Sequence, residues 1–169
     1  HVFHFPLEDE YTTLIRTVGP LVGYYLIYRL LHGSSDSHVN TEKSLYAALS
    51  HAQKNLPDPS YFTGIDSDTQ FVLLASYPLS SFVNNLAYKL EEGAFFRSVR
   101  CIDLLEFAHG ALQNLEHQRL QGKTVRAILL DSGHEDTSLM SAIEASLAGR
   151  VPVWKIASRL PEDLKILEF

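Results

Sequence analysis

Two stretches of this chain, Phe71-Val72-Leu73-Leu74-Ala75 and Val125-Arg126-Ala127-Ile128-Leu129-Leu130, are almost unbroken apolar runs bounded by turn-forming residues. A strand with one wet face would alternate apolar and polar residues, so runs of this kind belong to strands buried on both sides. Helix-length amphipathic segments separate them. From Ser80 to Glu92, the residues Phe82, Leu86 and Leu90 recur every fourth position and predict one buried stripe on a helix. Strand, helix, strand in this order predicts an α/β fold, a doubly wound and mostly parallel sheet flanked by helices, in the flavodoxin-like three-layer manner.

The remaining elements follow the same logic. Tyr11 to His32 reads as a long helix kinked at Gly19-Pro20, Gly33 to His38 as a loop, and a helix capped by Asn40 or Thr41 runs to Leu56 before Pro57-Asp58-Pro59. Further strands are expected over 95–102, 151–156 and 164–168, and a helix over 137–148. A helical segment is expected to open near Glu106 and His109. The chain starts at His1 on residues that read as a strand followed by the acidic turn Leu7-Glu8-Asp9-Glu10. Residues 1–9 are accordingly expected to be a linker or the end of a preceding unit, and 10–169 the domain proper.

Composition excludes several classes. With 169 residues, 46% of them hydrophobic, the chain can bury one sizeable core. Its net charge of −6 is spread out, and no basic run is available to neutralise a phosphate backbone, so nucleic acid is not an expected partner. Val18 to Leu31 is interrupted by Gly19, Pro20, Gly23 and Arg29 and is too short to cross a bilayer. No secretory leader pattern is visible, and the single Cys101 cannot form an internal disulfide, which together fit a cytoplasmic protein with no membrane partner.

Ligands of parallel sheets gather beyond the carboxyl ends of the strands. That rule selects three loops: 76–81, 103–109 and 131–136. In the first, Ser76, Ser80 and Ser81 place hydroxyls and free amides at a helix start, a pattern that binds phosphate or simply caps the helix. In the third, Asp131, His134, Glu135 and Asp136 crowd carboxylates around an imidazole, but their spacing fits no recognised metal-ligand pattern; neither a metal nor an organic cofactor is expected. Lys89 and Glu92 are three apart and can reach each other or one ligand; so can Glu106 and His109.

The blocks Lys89-Leu90-Glu91-Glu92 and Leu105-Glu106-Phe107-Ala108-His109-Gly110-Ala111 resemble the second half of a sugar isomerase (SIS) domain, as in the isomerase part of glucosamine-6-phosphate synthase. The resemblance spans residues 70 to 157, with one residue more between the blocks and with Leu105, Ala108 and Ala111 replacing the family's Gly, Lys and Pro. It implies a carbohydrate-derivative-binding module for a phosphorylated sugar. Three catalytic residues are implied if the protein is an aldose–ketose isomerase or deaminase of an amino-sugar phosphate: Glu92 as base, Lys89 beside it, and His109 as ring opener. Ser76, Ser80, Ser81 and Glu106 would then bind substrate. Because the family supplies the histidine from a neighbouring subunit, the resemblance also implies a homodimer.

Each assignment has a plainer alternative. Lys89 and Glu92 can form an ordinary surface ion pair, His109 can pack at a helix end, and Glu106 can be its structural partner. The first-half phosphate loop of the family and a C-terminal lysine tail have no counterpart in these residues. A non-catalytic SIS module used for sugar-phosphate sensing or dimerisation therefore stands as the second expectation, and a doubly wound domain of unrelated purpose as a third.

Overall fold

The structure, a computed structural model, describes residues 56–76, 79–94, 96–131, 133 and 137–158, together with Leu26, Ile27, Leu30, Lys43, Tyr46, Ala47, Ser50 and Lys54, which are helical. The expected elements over 1–25, the loop over 33–38, the capping residues Asn40 and Thr41, the strand over 164–168 and the loop residues 134–136 lie outside the described residues.

Four parallel strands form the sheet: β1 (Gln70–Ala75), β2 (Ser98–Asp103), β3 (Val125–Asp131) and β4 (Val153–Ala157), in the spatial order β2-β1-β3-β4. Their register sets Phe71 beside Val99 and Arg126, and Ile128 beside Trp154. Helix α1 (Ser80–Ala94) connects β1 to β2. A short helix α2 (Leu104–Glu106), a π turn (Phe107–Ala111) and helix α3 (Leu112–Leu120) lead to β3, and α4 (Thr137–Leu147) leads to β4. The all-parallel sheet flanked by helices is the expected α/β class.

Side chains alternate across the strands, and the two faces bury separate cores. On one face Val72, Leu74, Ala127 and Leu129 meet Leu104, Phe107 and Leu115 from the β2–β3 connection and Met140, Ile143 and Leu147 from α4. On the other, Phe71, Leu73, Ala75, Ile128 and Leu130 meet Leu79, Val83 and Ala87 at α1 and Tyr61 from the segment before β1. Each fully buried Leu or Phe contributes roughly 1.5–3 kcal/mol of transfer free energy.

Two details differ from the sequence expectation. The α1 stripe is one residue out of phase: Leu79, Val83 and Ala87 are buried, while Phe82, Leu86 and Leu90 flank them half-buried. Small Ala87 lets the helix sit close to the sheet, and the larger residues fill the margins. Strand β2 begins at Ser98 rather than at residue 95, because Phe96 turns back to pack on Phe71, their rings 4.5 Å apart.

The segment before β1 contains an unforeseen 3-10 turn, Pro59–Phe62, with Pro59 at its first position and the Asp58 carboxylate accepting from the Ser60 amide. Hydrogen bonding to Ser60 holds the Asp58 carboxyl below its ordinary range. This turn is strapped to β3. Arg126, only 8% exposed, donates from Nε to the Tyr61 carbonyl at 2.7 Å and from Nη2 to that of Thr63 at 2.5 Å. The Tyr61 hydroxyl donates to the Ala127 carbonyl at 3.1 Å, and burial raises its pKa well above the ordinary phenol value against the lowering pull of Arg126. An arginine inside an apolar strand is tolerated here because its charge is spread over carbonyl acceptors.

Candidate functional site at the carboxyl edge

Chain direction divides at the sheet centre: β1 leads outward to β2, whereas β3 leads the other way to β4. The carboxyl ends of β1 and β3 therefore form the switch point where doubly wound sheets bind ligands. Beside it, over the ends of β1 and β2 and against α1, lies a cleft of about 340 Å³ lined by Ala75, Val83, Asn84, Cys101, Ile102, Asp103 and Glu106. Its floor is apolar, and its rim is an amide and two carboxylates. Asp103 also caps α2, its Oδ1 accepting from the Leu105 amide at 2.8 Å.

Cys101 contributes the sulfur on the cleft wall. Its thiol donates to the Val83 carbonyl at 3.2 Å, and burial, helped by the nearby Glu91 charge, pushes its pKa up to about 11. A thiol so placed is neutral and a poor nucleophile at physiological pH.

The π turn sets the far side of the site. At its centre His109 (φ −94°, ψ 31°) and Gly110 (φ 127°, ψ −22°) leave helical geometry, so the chain kinks between α2 and α3. A side chain at Gly110 would meet open space, which leaves its positive φ as the reason for glycine. The kink buries Phe107 while leaving Glu106 and His109 exposed beyond the end of β2.

Of the residues singled out from sequence, Ser76 follows β1, Ser80 and Ser81 occupy the first turn of α1, and Glu106 lines the cleft. These gather at the carboxyl edge. Lys89 and Glu92 do not. Helix α1 runs antiparallel to the strands, so Glu92, nine residues beyond Val83, lies about 13 Å further along the helix axis, towards the start of β2. There Lys89 Nζ and Glu92 Oε2 form an ion pair at 3.8 Å, the glutamate side chain being 64% exposed. Within one protomer Glu92 and His109 sit at opposite ends of β2, a strand about 20 Å long.

Sequence reasoning had named the 103–109 loop but not Asn84 or Cys101. Asn84 is the polar residue one turn into α1 from Ser80, the only signal it carried. No group of three or more His, Cys, Asp or Glu able to hold a metal occurs among the described residues, and Asp131 is engaged by Lys155 at 3.2 Å. Lys155 also pairs with Glu144 at 2.7 Å; hydrogen bonding to Glu144 is the main cause of its raised pKa, burial opposes it, and the bond to Asp131 adds to the rise.

A second recess, of about 430 Å³, opens at the opposite edge among Asp66, Asp68, Gln70, Arg97, Ser98, Gly122, Lys123 and Thr124. Arg97 is neutralised there by Asp68 at 2.9 Å, and strand amino ends are not where such sheets bind ligands. No helix among the described residues is long and apolar enough to cross a membrane.

The fold and cleft together define an α/β protein of the doubly wound class with a small polar-rimmed site at its carboxyl edge. No family model matches the chain, and no curated protein matches it.

Proposed function

We propose that this chain is an SIS-type module that binds a phosphorylated sugar at the carboxyl edge of its sheet, and that one protomer alone does not catalyse. The observation that carries the reading is the cleft over β1 and β2. Its volume falls at the small end of ligand sites, which run to about 300–1,000 Å³. Asn84, Asp103 and Glu106 supply an amide and carboxylates to accept and donate to sugar hydroxyls, above an apolar floor for a ring face. The first turn of α1, with Ser80 and Ser81, offers backbone amides to a phosphate. The motif resemblance in Lys89–Glu92 and Glu106–Gly110 supplies the family reading.

The separation of Glu92 from His109 favours recognition over turnover. Isomerisation requires a base and a ring-opening group on one substrate, and a single copy holds these two at opposite ends of β2. The isomerase reading survives only as a site shared by two copies in a homodimer.

Thermal unfolding of the full chain with fructose-6-phosphate, glucosamine-6-phosphate and inorganic phosphate tests the proposal. A sugar ester is expected to raise the midpoint where inorganic phosphate at the same concentration does not. Glu106→Gln, which alters an exposed side chain, is expected to weaken ester binding about tenfold, the worth of one hydrogen bond to a charged group. No shift with either ester at millimolar concentration would end the proposal.

A further inference from the structure

Strand β2 is the last strand of the described sheet on its side, and the edge of a sheet is a template for pairing with another chain. Its two faces are half-covered. Val99 and Cys101 pack towards α1, Ile102 packs into the other core, and Arg100 is exposed on that second face. Among the described residues no strand pairs with the outer side of β2. In a strand, successive amides point to opposite sides, so those not used by β1 point outward along the strand.

One outward amide is occupied. Glu91, on the last turn of α1, reaches the edge, and its Oε1 accepts the Val99 N–H at 3.3 Å. From there its charge also bears on the Cys101 thiol two residues along, adding to the effect of burial in raising that pKa. Its neighbour Glu92 points away to Lys89. The two adjacent acids of Lys89-Leu90-Glu91-Glu92 thus have different tasks, and the one against the sheet is not the one the motif resemblance selects.

We propose that Glu91 is an edge guard: by holding the Val99 amide with a side-chain acceptor, it blocks β2 from adding a strand of a second copy of this chain. A carboxylate on this amide denies the incoming strand its bond, and approach would bury the charge without a partner. The proposal stands whether or not the cleft binds a sugar.

Light scattering of the eluted full-length protein over a hundredfold range of concentration tests it, with Glu91→Ala and Glu91→Gln beside the parent. The alanine variant is expected to gain mass with concentration beyond the parent's own state. The glutamine variant keeps an acceptor oxygen and is expected to follow the parent. Unchanged mass in folded Glu91→Ala, or equal association by both variants, would overturn the guard. If the alanine variant does not fold, amide exchange in the parent decides. Val99 is expected to exchange at least tenfold more slowly than Cys101, the next outward amide, and equal rates would refute the contact.

Discussion

Replacing Arg126 by methionine removes the strap between the 3-10 turn and β3 while keeping most of the side chain's volume. Three bonds are lost: Nε to the Tyr61 carbonyl and Nη2 to the Thr63 carbonyl, which form the strap, and Nη1 to the adjacent Val125 carbonyl. Hydrogen bonds from a charged donor contribute roughly 1.5–3 kcal/mol each, so losing the two strap bonds alone costs about 3–6 kcal/mol gross. Part is returned, because methionine carries no charge to desolvate, and replacing buried ionic groups with apolar ones recovers of order 1–2 kcal/mol. The net expectation is a loss of about 2–4 kcal/mol. At roughly 2–4 °C per kcal/mol for a chain of this length, the midpoint falls by about 4–16 °C. Urea unfolding followed by far-ultraviolet circular dichroism measures the free-energy loss, and a thermal scan with the same signal measures the midpoint. Arg126→Lys is expected to be no better than methionine, since an ammonium lacks the fork that meets two carbonyls at once. Tyr61→Phe removes the hydroxyl bond to Ala127 at a cost of about 1 kcal/mol, and the pair is expected to be non-additive because both hold the same turn. A stability of Arg126→Met within about 0.5 kcal/mol of the parent would refute the strap as a source of stability.

Two further outcomes follow from the cleft and its kink. Gly110→Ala meets no neighbouring atom, so its cost is backbone strain of about 1–3 kcal/mol less the 0.4–1 kcal/mol returned by a stiffer unfolded chain; urea midpoints equal to or above the parent's would show that the positive φ is not required. The Cys101 thiol, with its pKa pushed up to about 11, should react far more slowly with a disulfide reagent at pH 8 in the folded chain than in urea. Because the folded state keeps the proton to higher pH than the unfolded state, Cys101 stabilises below about pH 8.5 and its contribution declines as pH rises towards 11; a Cys101→Ala variant showing the same alkaline decline would exclude this cause.

How much of this was legible in the sequence depended on whether a residue's role was set locally. The strands at 71–75 and 125–130 could be read because burial on both faces leaves an unbroken apolar run. Helix α1 could be placed, but its phase could not: Leu79, Val83 and Ala87 are as compatible with a periodic stripe as Phe82, Leu86 and Leu90, and only the close approach at Ala87 decides. Arg126 read as one polar interruption of a strand, since the two acceptors that make it a strap lie more than sixty residues upstream. In the site, Ser76, Ser80, Ser81 and Glu106 were placed at the carboxyl edge by alternation alone. The pairing of Glu92 with His109 rested on motif order, and order along a chain says nothing of which end of a strand each residue meets.

The strap has a consequence for the order of events in folding. β1 pairs with β2 across 28 residues, as in Gln70 with Ser98, whereas the Tyr61 hydroxyl meets Ala127 across 66. Closing the larger loop costs more chain entropy, and it is rewarded only once β3 has been laid beside β1. The turn before the first strand is therefore expected to dock after the strands that follow it, so that Arg126→Met should speed unfolding more than it slows folding.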